Sequence, residues 1–434
     1  MKYTEKELVE KTKKYSTALP GFDPLVMTEA KGCIIKDING REYIDGISIS
    51  AGPASVGSAH PKVVNAVIEQ VKKLPAASPW CVNIPRVELA EKLTKILPQG
   101  LNKFQFFCGG GEAVEFAIRT AIRSLKKREV ISLYTGYHGT SFGLLSLGGS
   151  WNRKSLPIVP GFRQIPPAYC YRCFYGKEYP QCNFECAKAL ESMIQWGSSG
   201  EVMGFLLEPI MGVGGHVIPP KEYFQIVREI CDKYGVLLIF DEIQTGFGRT
   251  GKIWAADYYE VNPDIMVIGK AMGGGIPVSA AIFSEKIPLP SEEEAESLNT
   301  FNGNPLACAA ASAVIDIIAE ENLTQKAAET GSFMMERLKG IEGKHPLIGE
   351  IRGAGLFIGV ELVKDKETKE RANEEAKKVV AECRKRGVLL MVSYNGKGNV
   401  VKIKPPLNIE RSLVEKIVDV LDESFSVVGR GFTK

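Results

Sequence analysis

The sequence of 434 residues contains no apolar run approaching the ~18 residues that a membrane helix needs, so no membrane partner is expected. It also lacks a charge excess. With 54 Lys and Arg against 51 Asp and Glu, the formal net charge is +3, which does not favour nucleic acid or an anionic lipid surface as a partner. Internal repeats and low-complexity tracts are missing. The first residues, MKYTEKELVEKTKKYS, have no signal-peptide apolar core and read as a solvated amphipathic helix, so a cytoplasmic location is expected. Histidine is scarce: there are four, and no two sit at metal-ligand spacing, which argues against a histidine metal site. Cysteine is not scarce, but ten cysteines in a chain of this size do not make a disulfide framework. Cys33, Cys81, Cys108, Cys231, Cys308 and Cys383 are scattered and read as small reduced core residues.

The composition, 44% hydrophobic and 24% charged, is that of a globular protein with two or three domains. Residues 32–45 alternate like a hairpin around Asn39-Gly40, and residues 61–74 have helical spacing. From about residue 86 to 285 short apolar runs alternate with amphipathic segments, which argues for an α/β fold with a mostly parallel sheet covered on both faces. A long helix begins at PLACAAASAVIDIIAEENL, and GLFIGVELV, VVKIK and a last helix make a smaller α/β unit. Residues 286–297 read as an exposed acidic loop or short helix.

Chemistry concentrates at strand ends. GVLLIFDEIQTGFGRTG places Asp241 at the end of one apolar run, and PDIMVIGKAMGGGIP places Lys270 just after another. Ligands of open α/β sheets sit outside the carboxyl ends of the strands. An amine there can form an imine with an aldehyde, and a carboxylate there can keep a pyridinium nitrogen protonated, the two groups pyridoxal 5'-phosphate requires of a protein. Three residues past Asp241, Gln244 is placed to donate to the ring oxygen beside the imine. FQFFCGGGEAVEFAIRTAI runs from a strand through glycines into a helix, where the backbone N–H groups of Gly110 and Gly111 suit a phosphate. In YTGYHGTSFG, Tyr137 offers a flat face for an aromatic cofactor, and His138 is either a hydrogen-bonded loop residue or a chemical group. Cys170, Cys173, Cys182 and Cys186, spaced C-x2-C, eight residues, C-x3-C, suggest a structural zinc knuckle, with reduced loop thiols as the alternative.

The blocks DEIQTGFGRTG, IGKAMGGGIP, YHG, EPIMGVGG and NTFNGNPLACAAA resemble the class III aminotransferases, pyridoxal-phosphate enzymes of the aspartate-aminotransferase (type I) fold. The resemblance spans about residues 20–425. It implies an N-terminal segment (1–60) contributing to a small domain, a large cofactor-binding domain (61–315) and a C-terminal small domain (316–434). It implies a homodimer or dimer of dimers with shared active sites. Lys270 would be the Schiff base, Asp241 the partner of the pyridine nitrogen, Gln244 a neighbour of the ring hydroxyl and Tyr137 the stacking residue. Gly110 and Gly111 would hold the phosphate, and Thr300 would reach the phosphate of the partner subunit. His138 and the EPI glutamate, Glu208, would complete the cofactor surroundings.

The chain departs from the family pattern at Gly109 and Gly111, where small polar residues are usual, at Met211, and at Lys402. Lys402 stands where an arginine before PPL clamps a substrate carboxylate, and it is a candidate to pair with Glu208. The activity implied is transfer of an amino group from an ω- or α-amino donor to a small 2-oxo acid such as pyruvate or 2-oxoglutarate. The alternative is a lyase that removes phosphate or ammonia from an amino-phosphate or amino-phosphonate.

Overall fold

The computed structural model describes residues 3–17, 24–149, 157–291 and 299–430. The acidic segment expected over 286–297 therefore lies outside the described residues beyond Ser291. The N-terminal helix, Glu5–Tyr15, is capped by Thr4 and buries none of its residues, as its charged pattern predicts.

Three short strands follow: β1 (Met27–Lys31), β2 (Ile34–Asp37) and β3 (Glu42–Asp45). The β2–β3 turn falls at Asn39-Gly40. Asp37 accepts the N–H groups of Asn39 and Arg41 there, and Gly40 takes φ +79, which a residue with a Cβ adopts only with strain. This small sheet is completed from the far end of the chain by β13 (Val388–Leu389), which runs parallel to β3; counted in chain order, it is the thirteenth strand.

The central sheet has seven strands: β4 (Leu101–Phe107), β5 (Glu129–Leu133), β6 (Phe162–Ile165), β7 (Val202–Leu207), β8 (Leu237–Asp241), β9 (Ile265–Ile268) and β10 (Ser279–Ser284). Their order is β4-β10-β9-β8-β7-β5-β6. The five strands from β9 to β6 are parallel, whereas β10 runs antiparallel to both β9 and β4. Every residue of β7, β9 and β10 is buried, as expected of strands covered on both faces. The helix Gly110–Leu125 covers one face and the helix Lys221–Tyr234 packs against β8. The sheet is thus mixed but mostly parallel.

A third sheet, antiparallel, is ordered β11 (Ile348–Ala354), β12 (Phe357–Leu362), β15 (Val400–Ile403) and β14 (Met391–Val392). It carries Lys402 and leads directly into Lys404.

Candidate active site

Strand register brings the two strand-end residues together. β8 and β9 are adjacent and parallel, with Asp241 opposite Val267, so Lys270 lies three residues further along the same sheet edge. Lys270 opens a tight turn, Lys270–Gly273, and holds φ +45, a left-handed conformation uncommon for a residue with a side chain. Both residues line a cavity of about 570 Å³ at the carboxyl ends of the strands, a volume suited to a small-molecule ligand. Its walls also include Gly110, Gly111, Tyr137, His138, Glu208 and Gln244.

The electrostatics favour a nucleophilic amine. Burial pushes the Lys270 amine below its ordinary value, while the charges of Asp241 and Glu208 pull it partly back. Asp241 is buried and held from two sides. One carboxylate oxygen accepts the N–H of Ile243 at 3.1 Å, and the other lies 2.8 Å from Nδ1 of His138. His138 is therefore hydrogen-bonded, with Asp241 as its partner. Its Nε2 is buried and has no hydrogen-bond partner among the described residues.

Glu208 accepts the backbone N–H of Tyr137 at 3.0 Å and that of Gly212 at 2.8 Å. Burial raises it to about 6, against the opposing pull of His138 and its two N–H donors. It makes no ion pair with Lys402, correcting the pairing expected from sequence. Its two oxygens instead take backbone donors from two loops, Tyr137 of YHG and Gly212 after EPI, while its charge still acts on Lys402 at longer range. Lys402 is buried in β15 and is pushed down to about 8 by burial and by the neighbouring charge of Lys270.

The glycines before the long helix are not equivalent. A Cβ on Gly110 would lie 2.7 Å from Cδ1 of Ile243, so a side chain there requires Ile243 or the helix end to move. On Gly111 it would meet Leu144 at an ordinary 3.5 Å. Gly109 gives its N–H to Glu112 and its carbonyl accepts Oγ–H of Ser279. Met211 is buried against Oγ1 of Thr135. Thr300 is exposed and does not line the cavity of its own chain.

The cysteine expectation is not supported. Among the described residues no group of three or more His, Cys, Asp or Glu side chains is arranged to hold a metal ion. All four thiols are free. The segment is anchored by polar contacts instead: Tyr169 and Arg172 both bind the buried Glu361, and Nζ of Lys369 donates to the carbonyl of Tyr171. Burial raises Cys170 to about 11 and Cys186 to about 12.

Sequence reasoning missed Lys404, which is buried and donates to Oε1 of Gln244 at 3.0 Å. Its signal was in the sequence, as a second lysine in KIKPPL. Its partner was not, because 160 residues separate the two.

The chain matches the family Aminotransferase class-III over residues 18–425 and belongs to it. Leucine/methionine racemase of Thermococcus litoralis is 37% identical over 98% of this chain and 97% of its own length. Taurine–pyruvate aminotransferase of Bilophila wadsworthia is 34% identical over 100% of both. An amine transaminase from an uncultivated Pseudomonas species, solved in its pyridoxal-phosphate-bound form, superposes with TM-score 0.89 at 30% identity, covering 95% of this chain and 97% of that one. The fold is that of the class III transaminases. No described helix is long and apolar enough to cross a membrane.

Proposed function

We propose that this chain is a pyridoxal-phosphate-dependent transaminase that moves an amino group from an α- or ω-amino donor to a small 2-oxo acid. The observation that carries this reading is the desolvated Lys270 amine sharing a strand-end cavity with the buried Asp241 carboxylate. The donor set fits the cofactor, and the crowding at Gly110 leaves a backbone cradle that a side chain would fill. When bound, pyridoxal phosphate supplies an aldehyde and a ring that withdraws electrons.

The protein's part follows from its own residues. Lys270 Nζ would hold the cofactor's aldehyde carbon covalently and, when freed, would be the base that moves a proton at the substrate carbon. Asp241 would keep the ring nitrogen protonated, and His138 holds Asp241 in place through Nδ1. Tyr137 would cover the ring, the N–H groups of Gly110 and Gly111 would receive the phosphate, and Gln244 would donate to the ring oxygen. Lys402 receives the anionic group of the substrate as a point charge, without the fork of an arginine.

The protein acts as a homodimer in the cytoplasm. Thr300 is exposed and does not line its own cavity, and beside it Phe301, Trp80, Val82 and Ile84 are exposed on adjoining segments, joined by the hydrogen bond from Asn83 to Gly303. A second copy would cover this apolar surface and bring Thr300 to its phosphate site.

The racemase likeness favours a second reading, in which the proton returns to the substrate carbon and the amine stays on it. One experiment separates the readings. Purified enzyme is given L-alanine, L-leucine, taurine or aminoethylphosphonate in deuterium oxide, with and without pyruvate. A new oxo product formed only with pyruvate, matched by alanine where alanine is not the donor, supports transamination. Inverted, deuterated amino acid without pyruvate supports racemisation, and ammonia or phosphate release supports a lyase. Transfer in none of the pairs, with either of the other outcomes, rejects the transaminase reading.

A further inference from the structure

Lys404 lies just past β15, where its N–H donates to the carbonyl of Gly46 and its own carbonyl accepts Oγ–H of Ser48. Its side chain is buried. It runs close beneath Gly52, where a Cβ would come within 3.2 Å of Nζ, and Nζ sits 4.6 Å from the centre of the Phe357 ring. The charges around it are mostly of its own sign: Arg249, Lys270 and Lys402, with Glu208 opposing them. Together with burial they press the amine well below its ordinary value. Placing a lysine here is costly, and a contact that needs a donor offsets the cost.

That contact is with Gln244. The carboxamide of Gln244 lies flat against Gly212, where a Cβ would fall 2.4 to 2.6 Å from its Nε2, Cδ and Oε1. Two-fold rotation of an amide exchanges an acceptor for a donor at nearly the same position, and local hydrogen bonding decides which is presented. Lys404 donates through Nζ–H, and the amide meets it with Oε1, 3.0 Å away. Gln244 also lines the cavity that holds Lys270 and Asp241.

We propose that Lys404 is a positioning residue: it locks the Gln244 carboxamide so that the cavity is offered the Nε2 hydrogens and never the carbonyl oxygen. The ligand group so recognised is an oxygen anion, the ring oxygen of the bound cofactor; the inference therefore rests on the proposed use of pyridoxal phosphate. Without Lys404 the amide is free to turn its oxygen toward that anion. Gly212 is as essential as Lys404, because any side chain there would displace the amide plane.

The test uses wild type, Lys404→Met, Gln244→Leu and the double variant, each stripped of cofactor and titrated with pyridoxal phosphate. The readouts are the dissociation constant and the pH midpoint of the visible absorption of the loaded protein. Lys404→Met is expected to weaken cofactor binding about tenfold, the worth of one buried hydrogen bond. Its pH midpoint should rise by roughly one unit, because a ring oxygen without its donor holds the neighbouring proton more tightly. Gln244→Leu should reproduce both effects, and the double variant should be no worse than Gln244→Leu alone.

Unchanged affinity and midpoint in Lys404→Met overturn the inference while wild-type binding leaves the proposed function standing. Additive effects in the double variant also overturn it, because Lys404 would then act independently of Gln244. Should Lys404→Met fail to fold, unchanged affinity and midpoint in Gln244→Leu have the same force. Wild type that binds no pyridoxal phosphate removes the proposed function together with the inference.

Discussion

Substituting Gly110 by alanine tests the phosphate cradle with a control beside it. The added methyl would sit 2.7 Å from Cδ1 of Ile243, whereas two carbons at rest lie about 3.5 to 4.0 Å apart. Roughly one ångström must be found by moving Ile243 or the first turn of the helix Gly110–Leu125, whose N–H groups face the cavity. Overpacking of this kind costs about 1–3 kcal/mol. If the helix end absorbs the shift, the loss appears in cofactor affinity, about 5- to 150-fold by the logarithmic relation.

Gly111→Ala adds a methyl with ordinary contacts only, 3.5 Å to Leu144 and 3.8 Å to Gly139, and exchanges glycine for a better helix former. It should bind cofactor within about threefold of wild type, a difference of only ~0.6 kcal/mol. Ile243→Val deletes the clashing Cδ1, so Gly110→Ala combined with Ile243→Val should recover most of the loss, less about 0.5–1.5 kcal/mol for the missing methyl. The assay is retitration of stripped protein with pyridoxal phosphate, with thermal unfolding run in parallel. Equal damage from Gly110→Ala and Gly111→Ala, or no rescue by Ile243→Val, would refute the steric argument.

Lys270→Ala should abolish turnover and the borohydride-trapped mass of the cofactor while the protein stays folded; multiple turnovers near the wild-type rate would remove Lys270 from the chemistry. Asp241→Asn should retain cofactor but slow the reaction by roughly 10³-fold, about 4 kcal/mol, since a neutral amide neither keeps the ring nitrogen protonated nor accepts from His138 as strongly. A rate within about tenfold of wild type, ~1.4 kcal/mol, contradicts that role. Lys402 is held near 8 against an ordinary 10.5, so its burial cost is complete below about pH 8 and is relieved as pH rises toward 10.5. Lys402→Met should therefore be more stable than wild type at neutral pH, by up to about 3 kcal/mol, with the gap closing over that window; a stability difference that ignores pH excludes the charge cost. Lys402→Arg should shift kcat/KM toward α-amino acids over matched ω-amines by about 1–2 kcal/mol, and an unchanged ratio would count against substrate contact at this residue.

What the sequence determined by itself was local and periodic. The apolar runs before Asp241 and before Lys270 are strands because they are short, β-branched and bounded by turn residues, and a residue ending a parallel strand must appear at the carboxyl edge of the sheet. The hairpin at Asn39-Gly40 and the glycines opening the helix at Gly110 were legible for the same reason: their turn chemistry is written in adjacent residues. The family blocks added Glu208, which lines the cavity with Tyr137 and Gln244, and Lys402, whose amine feels the charges of Lys270 and Glu208.

Tertiary structure decided what depends on distant partners. The run SAAIFS carries no mark of direction, and β10 is antiparallel because it fills the slot between β9 and β4 on its way back. The four cysteines are close in sequence, yet the Glu361 anchor on Tyr169 and Arg172 sets the path of their loop. Glu208 turned from the expected Lys402 to two backbone N–H groups, because a buried peptide group left without an acceptor is costly. Lys404 met Gln244 only through packing of the third sheet against the carboxyl edge of the second. Periodicity fixes which face of an element is buried, but the atom opposite each buried polar group is chosen by how the elements dock.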